Sequence, residues 1–106
     1  MTALTSQDAA SRLAALPGWQ INEGELTRIF SFKDFLSALA FVNRVGEQAE
    51  KAGHHPDIDI RYNRVRLGLV THDAGIPSDR SSSLGWEAGG LTAKDFDLAA
   101  VIDRLA

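Results

Sequence analysis

The chain has 106 residues, 44% of them apolar and 24% charged, with a net charge of −3 and no cysteine. That length supports one domain around one core, and the ordinary apolar and charged fractions exclude disordered and collagen-like classes. Without cysteine there are no disulfides, thiolate metal sites or cysteine nucleophiles, and a slightly acidic chain lacks the electrostatic footprint of a nucleic-acid binder. In chain order, Thr5 or Ser6 can cap a first helix running to about Leu16, with Asp8 in its first turn where the helix dipole favours a negative charge. Pro17-Gly18 ends that helix. Trp19-Gln20-Ile21 alternates briefly, and Asn22-Glu23-Gly24 reads as a turn. Leu26 to Phe32 is a strand pattern with Leu26, Arg28, Phe30 and Phe32 on one face; Arg28 interrupts the alternation and implies one solvated edge.

From Asp34 to Glu50 the period becomes helical. Phe35, Leu39, Val42 and Ala49 form one stripe, with Leu36, Ala40 and Val45 beside it. Gly46 inside this helix costs about 1 kcal/mol relative to Ala, which points to close packing against another helix or subunit. Gly53 stops the helix, and His54-His55-Pro56 follows at once. Ile58, Ile60 and Tyr62 alternate with polar residues, as do Val65, Leu67 and Leu69. A two-residue turn at Asn63-Arg64 would make a hairpin pairing Tyr62 with Val65, Ile60 with Leu67 and Ile58 with Leu69. Arg61, Arg64 and Arg66 then cluster at its tip as a solvated edge. A final helix starts near Thr92, with Asp95 completing a capping box and Phe96 to Leu105 supplying a broad apolar face. Residues 76–89 have no sustained period and read as a long loop, a length that usually signals function or disorder.

That hairpin register, continued outward, places His55 opposite His72, with His54 next to it. Three histidines far apart in sequence therefore meet at one end of the hairpin, near Glu50, Asp57 and Asp73. An adjacent His pair alone is most simply a polar helix end bonded to the last carbonyls; the third His and the carboxylates shift the balance toward chemistry. A metal site is not expected: neighbouring strand residues point to opposite faces, and there is no HExxH spacing. No glycine-rich phosphate loop or nucleophile elbow is present. What remains is general acid–base catalysis by imidazole near neutral pH.

These residues resemble a known family. Glu50-Lys51-Ala52-Gly53-His54-His55-Pro56, then Tyr62, then His72-Asp73, is similar to the signature of the pterin-4a-carbinolamine dehydratases. Leu16-Pro17-Gly18-Trp19, Phe30-Ser31-Phe32 with Phe35, and Gly90-Leu91-Thr92 with Asp95 extend the resemblance across nearly the whole chain. One departure stands out. Joining Gly75 to Gly90 would restore the family's usual spacing from the third His to the final Asp, so residues 76–89 read as an insertion within a single domain of residues 1–106.

The resemblance implies an α+β fold, a four-stranded antiparallel sheet with three helices packed on one face. It implies a hydro-lyase that dehydrates 4a-hydroxytetrahydropterin to quinonoid dihydropterin in tetrahydropterin recycling. His54, His55 and His72 would be the catalytic set, with His54 and His72 moving protons and His55 orienting the ring. Glu50, Pro56, Thr71, Asp73 and Ala74 would line the substrate pocket beside the histidines, and Asp95 would support it. No cofactor is implied, because the pterin is the substrate. A link to an aromatic amino acid hydroxylase pathway and a homodimer or homotetramer would follow. Family members in animals also stabilise a transcription factor's dimer, so a non-catalytic binding module is the rival class. A paralogue acting on a pterin related to the molybdenum cofactor is a third. The segment 76–89 could be a lid with Trp86 stacking on the pterin, an interface element, or a bland surface loop; the last two are favoured. No run approaches about 18 apolar residues, and Met1 to Asp8 has no basic region followed by an apolar stretch, so neither a membrane span nor a signal peptide is expected, which fits a cytoplasmic protein.

Overall fold

The computed structural model describes residues 3–71 and 90–106. In chain order these form α1 (Ser6–Leu13), β1 (Gln20–Asn22), β2 (Glu25–Ser31), α2 (Phe35–Ala52), β3 (Asp57–Arg61), β4 (Arg64–Leu69) and α3 (Ala93–Asp103). The strands make one antiparallel sheet in the order β1-β2-β4-β3. Leu26 and Phe30 of β2 and Val65, Leu67 and Leu69 of β4 are buried on one face, where Phe41, Val45, Leu91, Phe96 and Ile102 meet them. The opposite face carries Ile29, which is exposed, among Asp59, Arg61, Arg64 and Arg66. The expected architecture of four antiparallel strands with helices on one face therefore holds. No helix among the described residues is long and apolar enough to cross a membrane.

Local chemistry explains where the helices begin. Thr5 caps α1 by accepting from the Asp8 N–H at 3.1 Å. Asp34 caps α2 by accepting from the Ser37 N–H at 2.8 Å. That backbone bond, then the Ser37 hydroxyl and Lys33, hold the Asp34 carboxyl below its ordinary value of 3.8. A lowered carboxyl stabilises the fold only while it is ionised. The stabilisation is therefore complete above pH 3.8 and fades as pH falls through the lower folded value. Asp34→Ala is expected to melt below the native protein at neutral pH, and the gap should close in acid; thermal melts across that range check this.

Three local expectations change, and one about Arg28 holds. On α2 the buried stripe is Ala38, Phe41, Val45 and Ala49, while Phe35 is 44% and Leu36 74% exposed. Apolar residues cover so much of this helix that periodicity could not fix which arc faces inward. A Cβ on Gly46 would meet nothing within 4 Å among the described residues, so close packing against them is not the reason for that glycine. Arg28 lies on the core face: it binds Asp103 at 3.0 Å and sits 4.5 Å from the centre of the Phe30 ring. β1 pairs with Glu25–Thr27, which leaves the rest of that edge without a strand partner among the described residues, in line with what Arg28 implies. The β3–β4 ladder closes at Arg61↔Arg64, so the turn is Tyr62-Asn63 and not Asn63-Arg64. Asn63 is pinned to the end of β2: its carbonyl accepts from the Phe32 N–H at 2.8 Å, and its amide donates to the Phe32 carbonyl at 2.8 Å. Tyr62 consequently takes a φ of 54° and is exposed. The slip is an even one, so Ile60 still shares the core face with Val65 and Leu67.

Candidate active site

The corrected register changes which residues lie level beyond the ladder. Ile60 pairs with Val65 and Ile58 with Leu67. Continued outward, the same register sets His54 level with Thr71, where the sequence reading set His55 level with His72. Both His54 and Thr71 turn out to bind one carboxylate.

His54 is placed by the end of α2. Gly53 adopts φ 63° and closes the helix with its N–H to the Glu50 carbonyl at 3.1 Å, and the His54 N–H returns to the Ala49 carbonyl at 3.1 Å. This pair of bonds is a Schellman ending, and it needs a left-handed residue that glycine supplies without strain. The His54 side chain is thereby turned inward and is 7% exposed. A Cβ at Gly53 would touch nothing within 4 Å among the described residues, so Gly53→Ala suffers the backbone penalty of about 1–2 kcal/mol. It is expected to lower the melting temperature by several degrees, roughly 4–8 °C per kcal/mol in a domain of this size. A thermal melt checks this.

Asp95 arrives from the first turn of α3 and is fully buried. The Thr92 N–H donates to its Oδ2 at 2.9 Å, which is the reciprocal half of the expected capping box. The Thr71 hydroxyl donates to the same Oδ2 at 2.9 Å. The other oxygen, Oδ1, lies 2.5 Å from His54 Nε2. The Thr71 and Thr92 hydroxyls are 2.9 Å apart, and the Thr71 N–H donates to the Gly90 carbonyl at 2.8 Å. Burial of a carboxylate is expensive unless its lone pairs are filled; here three donors from three chain segments fill them. No buried side-chain nitrogen or oxygen among the described residues lacks a partner.

His55 behaves differently. Its Nε2 contacts Glu50 Oε1 at 2.8 Å, with both side chains mostly exposed, at 66% and 80%. Adjacent residues thus point to opposite sides, as extended backbone requires. Such an exposed pair contributes about 0–1 kcal/mol. Glu50→Gln is therefore expected to leave thermal stability within about 1 kcal/mol of the native protein, as measured by chemical denaturation. Pro56 is half-buried between the two histidines and β3. His72, Asp73, Ala74 and the proposed insertion at 76–89 lie outside the described residues.

His54 also lines a cavity of about 370 Å³ between α2 and α3, within the range of small-molecule sites. Ala52, Leu98 and Val101 give it apolar walls, and Lys51, Lys94 and Asp97 give it charged ones. The sequence alone does not mark these residues as pocket walls, nor Thr92 as more than a helix cap. The signal for Thr92 was present: a capping box turns the carboxylate at its third position back toward the cap, so a buried cap means a buried Asp95.

Comparison with known proteins follows the same lines. A family model described as pterin 4 alpha carbinolamine dehydratase matches residues 2–105. A protein of Acidobacterium capsulatum is 53% identical over 105 residues, covering 99% of both chains. One of Chloroflexus aurantiacus is 49% identical, covering 99% of this chain and 98% of its own. Both names give their proteins, provisionally, as pterin-4-alpha-carbinolamine dehydratases. The crystal structure of a transcriptional coactivator/pterin dehydratase from Brucella melitensis superposes with a TM-score of 0.80 at 34% identity, covering 99% of both chains. A pterin dehydratase-like protein identified as a RuBisCO assembly factor in the alpha-carboxysome shares the fold, with a TM-score of 0.58 at 22% identity, covering 83% of this chain and 86% of that one.

Proposed function

The chain belongs to the pterin 4 alpha carbinolamine dehydratase family, and from that premise we propose that it dehydrates a 4a-hydroxytetrahydropterin to the quinonoid dihydropterin, as a step of tetrahydropterin recycling. The observation that carries the reading is the buried Asp95 held against His54 beside a cavity. A fold has little reason to bury a carboxylate and an imidazole together unless the pair works, because burying charge costs stability. The reaction needs only proton transfers. The carbinolamine C–O bond breaks as an acid protonates the leaving hydroxyl. The lone pair of the adjacent ring nitrogen forms the C=N bond, and a base takes that nitrogen's proton, so one water leaves and the enzyme's protons balance. Imidazole serves as acid or base near neutral pH. In this reading His54 and His72 move the protons and His55, held by Glu50, orients the ring. Pro56, Thr71, Asp73 and Ala74 border the pterin, and no cofactor takes part. A cytoplasmic homo-oligomer belongs to the same proposal.

A non-catalytic binding role is the second reading, favoured by the exposed Phe35 and Leu36 on α2 and by the likeness to the Brucella transcriptional coactivator/pterin dehydratase. Stopped-flow absorbance with chemically generated 4a-hydroxytetrahydropterin separates the two. Acceleration in proportion to protein concentration is expected; decay at the spontaneous rate would overturn the dehydratase reading.

A further inference from the structure

The direction of the hydrogen bonds around Asp95 carries more than the pairing itself. Lys94 N–H donates to Thr92 Oγ1 at 3.2 Å. Thr71 Oγ1 spends its one hydrogen on Asp95 Oδ2, so in the 2.9 Å contact between the two hydroxyls Thr92 must be the donor. The chain of hydrogens therefore runs one way, from Lys94 N–H through Thr92 and Thr71 to the carboxylate. Together with the Thr92 N–H it gives Oδ2 two donors and leaves Oδ1 for His54. An acceptor oxygen 2.5 Å from Nε2 requires that nitrogen to carry the proton.

We infer that Thr71 and Thr92 are positioning residues that fix the tautomer of His54, with hydrogen on Nε2, so that Nδ1 is the nitrogen that exchanges a proton with the substrate. Among the described residues Nδ1 has no bonded partner. Thr71 is 4% exposed and Thr92 1%, with the donor hydrogen of each hydroxyl used inside the protein. The role of Thr71 is thus to aim Asp95, and only its backbone neighbourhood borders the pterin. The kinetic part of this inference rests on the dehydratase reading; the tautomer does not.

Thr71→Val keeps the shape of the side chain and removes the hydroxyl, while Thr71→Ser keeps the hydroxyl. Nitrogen-15 NMR of the native protein with labelled histidine, at a pH where His54 is neutral, is expected to show a protonated Nε2 and a bare Nδ1. In Thr71→Val the two signals should move toward each other as the second tautomer becomes populated, and Thr71→Ser should restore the native pattern. Turnover should follow, with kcat down about tenfold for the loss of one such bond, KM unchanged, and recovery in Thr71→Ser. Hydrogen on Nδ1 in the native protein would overturn the inference. So would a Thr71→Val protein with the native His54 pattern and a raised KM, which is the signature of a hydroxyl that binds substrate. If the native protein shows no turnover, the NMR comparison alone still decides the tautomer, and the failure falls on the dehydratase reading.

Discussion

His54→Gln is expected to lower dehydratase kcat by about 10²–10⁴-fold, the usual worth of a positioned acid or base, while the protein stays folded. The choice of glutamine matters. His54 is 7% exposed and its Nε2 bonds the fully buried Asp95. Truncation to alanine would strand that carboxylate, and a lost rate could then be blamed on misfolding. A glutamine amide can reach Oδ1 in place of Nε2 but cannot exchange a proton at neutral pH. Steady-state kinetics with a melting curve checks both halves. A variant that melts like the native protein and has lost its turnover isolates proton transfer as the missing function.

Asp95→Asn should lose turnover on a similar scale, on the order of 10³–10⁴-fold, by a different route. The Thr92 N–H and the Thr71 hydroxyl both donate to Oδ2. The asparagine carbonyl must therefore take the Oδ2 position, and its NH₂ is left facing His54. A donor facing Nε2 forces the hydrogen onto Nδ1, so the imidazole meets the substrate in the wrong tautomer. Geometry and fold survive; the proton is on the wrong nitrogen. Asp95→Ala differs again, because it breaks a buried pair and removes the reciprocal bond of the α3 cap, at a cost of about 3–5 kcal/mol. Urea denaturation of the two variants beside their kcat values separates a tautomer fault from a folding fault.

The parts legible in the sequence were those governed by local rules. Thr5, Asp34 and Thr92 each announce a helix start, and each caps one. Gly53 announces the end of α2 and takes the left-handed conformation there. The resemblance gives Asp95 a supporting part beside the histidines, and its carboxylate meets His54 across 41 residues of sequence. What stayed hidden depends on contacts that no local pattern encodes. Asn63 binds Phe32, 31 residues away, and that bond moves the hairpin turn by one residue. The shift brings Thr71 level with His54. Which arc of α2 is buried was equally out of reach, because apolar residues surround most of that helix. Thr71 reads as a pocket residue by resemblance; the bonds of its hydroxyl to Asp95 and Thr92 are visible only once three separate segments are brought together.

The most direct test is a stopped-flow comparison of native and His54→Gln proteins at equal concentration, each mixed with freshly generated 4a-hydroxytetrahydropterin. The expected result is decay that accelerates with native protein concentration and stays near the spontaneous rate with the variant. Equal acceleration by both proteins would contradict a dehydration carried by the His54–Asp95 pair.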